Sequence, residues 1–299
     1  MRKRPTAIFV MGALLALVVS ACGQAKAGTA LPKGDDAADY VGAKFEQVIG
    51  KLGDAITDSR DVTNSLDAYF KFDDKWIHST VTSARTGSPE SRVVRHRSQK
   101  NPDEIIDTYT PADGTVEYTY LGPLYVQKGV SPTAWVSMAK PEGGGLLVPC
   151  AWGGVLTPCR MADSTVDAYK ADKRAVRGAK SLGDGKTALT VNVPFGVFVE
   201  NRVEILPPSL TSQIGPELKK AAVPATITLN PDGSLASFVM EAKFAGDGHQ
   251  LELKYDFRFT GKASLQDMPK LPDASQITAL PDQAAKDAFY QRLGEAQGS

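Results

Sequence analysis

Gln250-Leu251-Glu252-Leu253-Lys254-Tyr255-Asp256-Phe257-Arg258-Phe259 is the stretch that decides the fold class. Leu251, Leu253, Tyr255, Phe257 and Phe259 alternate with Gln250, Glu252, Lys254, Asp256 and Arg258. Side chains of a strand point alternately to opposite faces, so the segment presents one apolar and one charged surface. A strand covered on both faces would read as a continuous apolar run; this period of two points to an antiparallel sheet with one solvated face. The preceding segment, 235–244, puts Ala236, Phe238, Met240, Ala242 and Phe244 on one side, and Gly246-Asp247-Gly248 supplies the turn between the two. Phe238, Met240, Leu251, Leu253, Tyr255, Phe257 and Phe259 are therefore the candidate interior, as packed core or as the lining of a cavity. Apolar strand faces are more often packed than hollow.

Working outward, Pro231-Asp232-Gly233 makes a turn back to a strand over 225–229, and 208–221 reads as a helix closed by Val223-Pro224. Residues 186–193 and 197–205 read as strands, and 163–179 as a helix with Val166, Tyr169, Ala175 and Val176 turned inward. Toward the amino terminus, short β-like runs over 76–82, 91–97, 116–121, 124–128 and 134–138 are separated by polar turns. Val41, Phe45, Val48, Ile49, Leu52 and Ile56 recur at spacings of three and four, one face of a helix. Residues 282–294, after Pro281, read as a terminal helix with Phe289 and Leu293 on its buried side. The class is α+β, and no solenoid or propeller period is present.

The amino terminus carries a separate message. Arg2, Lys3 and Arg4 precede an uncharged apolar run from Ala7 to Val19, which is short of the roughly 20 residues a membrane-spanning helix needs. It ends in Val19-Ser20-Ala21-Cys22, a lipobox. We expect a signal peptide over 1–21, lipidation of Cys22, a flexible Gly-, Ala- and Lys-rich tether over 22–36 and a single domain over 37–299. The expected location is the outer face of the cell membrane, held by acyl chains on Cys22; two chains give a stable anchor where one is marginal. Of the three cysteines, lipidation uses the odd one and leaves Cys150 and Cys159. Outside the cytoplasm that pair suits a disulfide. A metal or redox site is the weaker alternative, since the pair is no CxxC and no histidine lies near it.

Composition excludes several classes. The 34 basic and 34 acidic residues balance, and loss of Arg2, Lys3 and Arg4 leaves about −3, so nothing attracts nucleic acid globally. Apolar and charged shares of 42% and 23% are those of an ordinary globular protein. His78, His96 and His249 are scattered, which speaks against a metal site. No GxSxG elbow, P-loop or dinucleotide fingerprint is present, so neither a cofactor nor a catalytic residue is assigned. The run Ser91-Arg92-Val93-Val94-Arg95-His96-Arg97 holds three arginines, which suit either an anionic ligand (phosphate or anionic sugar) or, more commonly, a solvated sheet face or an edge strand protected by charge.

Val223-Pro224-Ala225-Thr226-Ile227-Thr228-Leu229-Asn230-Pro231-Asp232-Gly233-Ser234-Leu235, followed by two long strands and the segment from Pro269 to Pro281, resembles the LppX, LprA, LprF and LprG lipoproteins of actinobacteria, relatives of the lipoprotein carrier LolA. Leu124-Tyr125-Val126 with Trp135-Val136 is a second point of similarity, and the order of elements matches over most of 76–281. The loop from Cys150 to Cys159 departs from the family pattern as an insertion. The resemblance implies a curved antiparallel half-barrel with helices on its concave face and an apolar cavity for acyl chains, and a non-catalytic protein that binds or carries lipid or lipoglycan. The other reading open at this level is an envelope module with a filled core that docks a transporter, sensor or cell-wall component, with an exposed patch around Trp152.

Overall fold

The computed structural model describes residues 43, 45–57, 60–112, 114–140, 150 and 154–298. The expected signal peptide over 1–21, Cys22, the expected tether over 22–36 and Trp152 lie outside the described residues.

The strands are β1 (Val62–Phe72), β2 (Lys75–Thr86), β3 (Ser91–Ser98), β4 (Ile105–Thr110), β5 (Val116–Leu121), β6 (Trp135–Ala139), β7 (Val176–Ser181), β8 (Thr187–Pro194), β9 (Ala222–Leu229), β10 (Leu235–Gly246), β11 (His249–Lys262) and β12 (Ile277–Leu280). They form one open, curved sheet in the order β12-β6-β5-β4-β3-β2-β1-β11-β10-β9-β8-β7. The α+β class and the mostly antiparallel sheet are as expected. One pair differs: β12 runs parallel to β6. After β11 the chain crosses the outer surface of β2–β4, where Ala263 and Met268 pack on Ala84, Val93 and Tyr109. Arg95 donates to the Asp267 carbonyl on the way. This crossover delivers β12 to the far edge beside β6.

The main helices are α1 (Leu52–Thr57), α2 (Pro123–Gln127), α3 (Leu156–Ala171), α4 (Phe195–Glu200), α5 (Pro208–Thr211), α6 (Pro216–Lys220) and α7 (Gln283–Gly298). The expected helix around Phe45 and Ile56 is present in two pieces, 45–49 and α1, with Phe45, Leu52 and Ile56 at most 1% exposed. Four expectations need correction. Residues 124–128 form α2 rather than a strand: Pro123 occupies the first helical turn, where its fixed φ is favourable and its missing N–H costs nothing. Residues 197–205 are not a strand, because Phe195 and Phe198 are both buried three residues apart, a helical spacing. The helix expected over 163–179 is α3, which begins earlier with Pro158 in its first turn; Asp172 is extended at its end, and β7 follows. The helix expected over 208–221 is broken at Gly215 into α5 and α6.

A large core joins β1 and β8–β11 to α1, α3, α4 and α6. A second, smaller core lies at the far end, where α2 and α7 pack on β5, β6 and β12 through Leu121, Tyr125, Val136, Leu280 and Phe289.

Candidate functional site

The ladder of paired residues shows what each strand turns toward the helices. From β1, Leu66, Ala68, Phe70 and Phe72 face Phe257, Tyr255, Leu253 and Leu251 of β11, which in turn face Phe238, Met240, Ala242 and Phe244 of β10. Directly paired residues share a face, so this side of the sheet is continuously apolar. In the other direction the composition changes within one strand. Leu66, Ala68 and Phe70 pair with Val81, Ser79 and Ile77 of β2, and these lead to His96 and Ser98 of β3.

The candidate interior residues thus fall in the large core. Phe238, Met240, Leu253, Tyr255 and Phe257 are 0% exposed and Leu251 1%, while Phe259 is partly buried against the same cluster. Phe198 meets Tyr255 edge to face with ring centroids 5.5 Å apart. Leu251 and Phe244 also border a groove of about 340 Å³ at the tips of the β1–β2 and β10–β11 hairpins. Cys150 and Cys159 form a disulfide with Cα atoms 6.1 Å apart, buried in this core at the start of α3.

A larger cavity, about 650 Å³, opens where the polar strands meet the two cores. Its floor is Ile77, Ser79, His96 and Ser98; the β3–β4 turn adds Lys100, Asn101 and Glu104, α2 and its C-terminal end add Leu124 and Lys128, and the last turn of α7 adds Ala296 and Gln297. Glu204, from the segment after α4, completes the lining. The α2 and α7 contributions are tied together: Lys128 Nζ donates to the Ala296 carbonyl at 2.8 Å, and Gln297 Nε2 to Tyr125 Oη at 3.3 Å. Tyr125 in turn donates to Glu104 Oε1 at 3.5 Å.

Burial dominates the electrostatics. Tyr255 donates to Glu204 Oε2 at 2.6 Å, and the Ile205 N–H donates to Oε1 at 3.2 Å. Burial nevertheless raises the pKa of Glu204 above the ordinary glutamate value, and burial, with the Glu204 charge, pushes Tyr255 well up. Burial lowers His96, whose Nδ1 is a buried polar atom with no partner among the described residues. The arginine run divides between faces. Arg92 is 6% exposed and bonds Thr110 and Glu117 on the helix side, whereas Arg97 forms a two-pronged pair with Asp107 on the other. β3 is interior to the sheet, so the expectation of a charge-protected edge does not describe it.

Glu204, Glu104 and Lys128 were not candidates from sequence, and His96 entered only as a member of the arginine run. The alternation within Arg92, Val94 and His96 was the available signal for a polar inner face; Glu204 and Lys128 carry no local pattern. Among the described residues, no group of three His, Cys, Asp or Glu could hold a metal ion, and no helix is long and apolar enough to cross a membrane.

No protein-family model matches the chain, and no curated protein does. Among solved structures it is similar to the lipoprotein LppX of Mycobacterium tuberculosis, at 13% identity over 74% of this chain and 94% of that one, with a TM-score of 0.31. A DUF1329 family protein from Desulfovibrio piger matches at 9% identity over 79% and 96% of the two chains, TM-score 0.21. A β-barrel-like DUF1849 protein from Brucella abortus matches at 12% over 67% and 99%, TM-score 0.17. Identities and overlaps of this size leave ligand and activity to be read from the chain's own geometry.

Proposed function

We propose that this chain is an exported, lipid-anchored protein that binds an amphiphile in the groove between its two cores and catalyses no reaction on it. The cavity of about 650 Å³ carries this reading. Its volume is that of a small-molecule site, and its wall combines Trp76, Ile77 and Leu124 with hydrogen-bonding groups. A lipid on Cys22 would keep such a groove close to the bilayer that supplies its ligand.

The test is organic extraction and mass spectrometry of the soluble form beginning after Cys22, together with uptake of a fluorescent fatty acid. Recovery of a stoichiometric amphiphile is the expected result. Absence of both co-purified lipid and fatty-acid uptake would overturn the reading.

A second reading has its own observation. The apolar region around Phe238 and Phe257 is packed, not hollow, at 0% exposure for both. That favours an envelope scaffold that docks a membrane protein. It predicts cross-linking of the intact protein to one partner without bound lipid.

A further inference from the structure

Resting on the amphiphile-binding reading, we infer that the cavity of about 650 Å³ is a head-group site for a zwitterion, an ammonium linked to a phosphate, and that the acyl chains stay outside it. An acyl chain gains about 0.8 kcal/mol per methylene only where it meets an apolar wall. The floor sets only Ile77 beside Ser79, His96 and Ser98, and covering those three polar groups without hydrogen bonds is unfavourable. The apolar surface that would suit a chain is already occupied, because Phe198 lies against Tyr255 and both are 0% exposed. A polar, hydrogen-bonding ligand portion is what this space accommodates.

The charges define which polar portion. Two ammonium groups, Lys100 and Lys128, and two carboxyl groups, Glu104 and Glu204, line the space, with His78 and His96 the remaining titratable members. His78 is engaged with Asp67 at 2.8 Å. Lys100 and Lys128 belong to the β3–β4 turn and the end of α2, and Glu204 joins the lining from the segment after α4; the Lys100 ammonium lies 5.8 Å over the Trp76 ring and Lys128 donates to the Ala296 carbonyl. Charges of both signs, carried by different elements around one space, suit a dipolar group. A net anion would meet the carboxylates and a net cation the lysines, whereas a zwitterion satisfies both. Each carboxylate oxygen can accept two hydrogen bonds, and Glu204 receives one at each from protein, which leaves acceptor positions for an ammonium. Within the lining Trp76 and Ile77 are 38% and 48% exposed, and Ile205, next to Glu204 in sequence, is 68% exposed, which gives apolar surface for chains leaving the head group.

The experiment uses the whole chain purified in a non-ionic detergent and titrated with glycerophosphoethanolamine, which has the zwitterion and no chains. Glycerol phosphate and ethanolamine are the singly charged controls. Binding at millimolar concentration that exceeds both controls is expected. Lys100→Glu and Glu104→Gln should each weaken it about fivefold, the scale of one exposed charge contact. Lys100→Glu should also shift preference from glycerol phosphate toward ethanolamine, which a merely structural role would not do. Glu204→Gln is the stronger perturbation but also touches Tyr255; the other two variants stand clear of that buried bond. No binding of glycerophosphoethanolamine, equal binding of glycerol phosphate, or no response to the substitutions would overturn the inference. If lipid still co-purifies in that case, the amphiphile reading survives alone; if no lipid is found, the reading beneath it falls as well.

Discussion

The helix-bearing face on the β11 side of β1 differs sharply from the face on the β2 side. On one side Leu66 and Phe70 continue into Phe257, Leu253, Phe238 and Ala242; on the other the same two residues continue into Val81, Ile77, His96 and the serines beside them. Both sides obey the same alternation, and both are held by the same antiparallel hydrogen bonds. What differs is the cover. Helices α1, α3, α4 and α6 fill the first region with aromatic and aliphatic side chains, whereas the second lies between two cores and keeps open volume. A single sheet can thus divide its labour: continuous apolar pairing stabilises, and a change of side-chain chemistry across one strand boundary leaves room for a ligand.

The largest test of this contrast is a pair of truncations. Phe257→Ala, at a 0% exposed position, should cost about 3 to 5 kcal/mol of unfolding free energy, since it removes contacts and leaves a cavity. Ser79→Ala, on the floor of the open cavity, should stay within about 0.5 kcal/mol. Urea titrations of the two variants give both numbers. Equal losses would mean that the second region is as tightly constrained as the first.

The disulfide probes the same contrast at smaller scale. Cys150 and Cys159, nine residues apart, staple the start of α3 into the large core. Closing so short a loop contributes about 2 to 3 kcal/mol in the chain-entropy account. Reduction, or the double change Cys150→Ser with Cys159→Ser, should therefore lower the urea midpoint while leaving affinity for a cavity ligand within a factor of about two, because neither cysteine lines the cavity. A loss of ligand binding on reduction would show that the two regions are coupled.

In the second region the tightest backbone contact is at Gly122. A Cβ there would sit 2.4 Å from the Asp103 carbonyl oxygen, so Gly122→Ala must displace backbone, at about 1 to 3 kcal/mol. Gly122 precedes α2 and Asp103 belongs to the β3–β4 turn, so the displaced groups are those that carry Leu124 and Glu104 into the cavity. Circular dichroism melting and ligand titration should both respond, unlike the disulfide case.

How legible these features were follows from where each signal resides. β10 and β11 were readable because solvent covers one face and the alternation is complete; the candidate core from Phe238 to Phe259 came from that period alone. β1 has the same alternation at Leu66, Ala68, Phe70 and Phe72, but Asn64 sits in register on the buried side and dilutes its apolar pattern. β4, Ile105–Thr110, is short and follows a polar turn. Val197 and Val199 have strand propensity, yet burial of Phe195 and Phe198 makes the segment a helix, a case of tertiary packing overriding local preference. The cavity was not legible, because His96, Glu204 and Gln297 are brought together by the path of the chain and share no local spacing.

The smallest effect, and the most specific to the second region, is the dependence of stability on pH. The folded-state pKa of His96 lies below its ordinary value of 6.5 because burial disfavours the charged ring. Between those two values the unfolded chain binds more protons than the folded one, so stability falls as pH drops through the histidine range. Glu204 acts with the opposite sign. Its folded pKa lies above its ordinary value of 4.5, so there the folded state holds the extra proton and stability falls as pH rises through the window just above that value. His96→Gln should remove the acid-side loss and Glu204→Gln the loss on the rising side, each read as a flatter profile of urea midpoint against pH. Both groups border the same open space, so a ligand that pairs with Glu204 would stabilise its charged form, lower its pKa in the complex and weaken the Glu204 contribution. Measured with and without ligand, the profile should change on the glutamate side more than on the histidine side. Equal changes on both sides would place the ligand against His96 as closely as against Glu204 and redraw the orientation within the cavity.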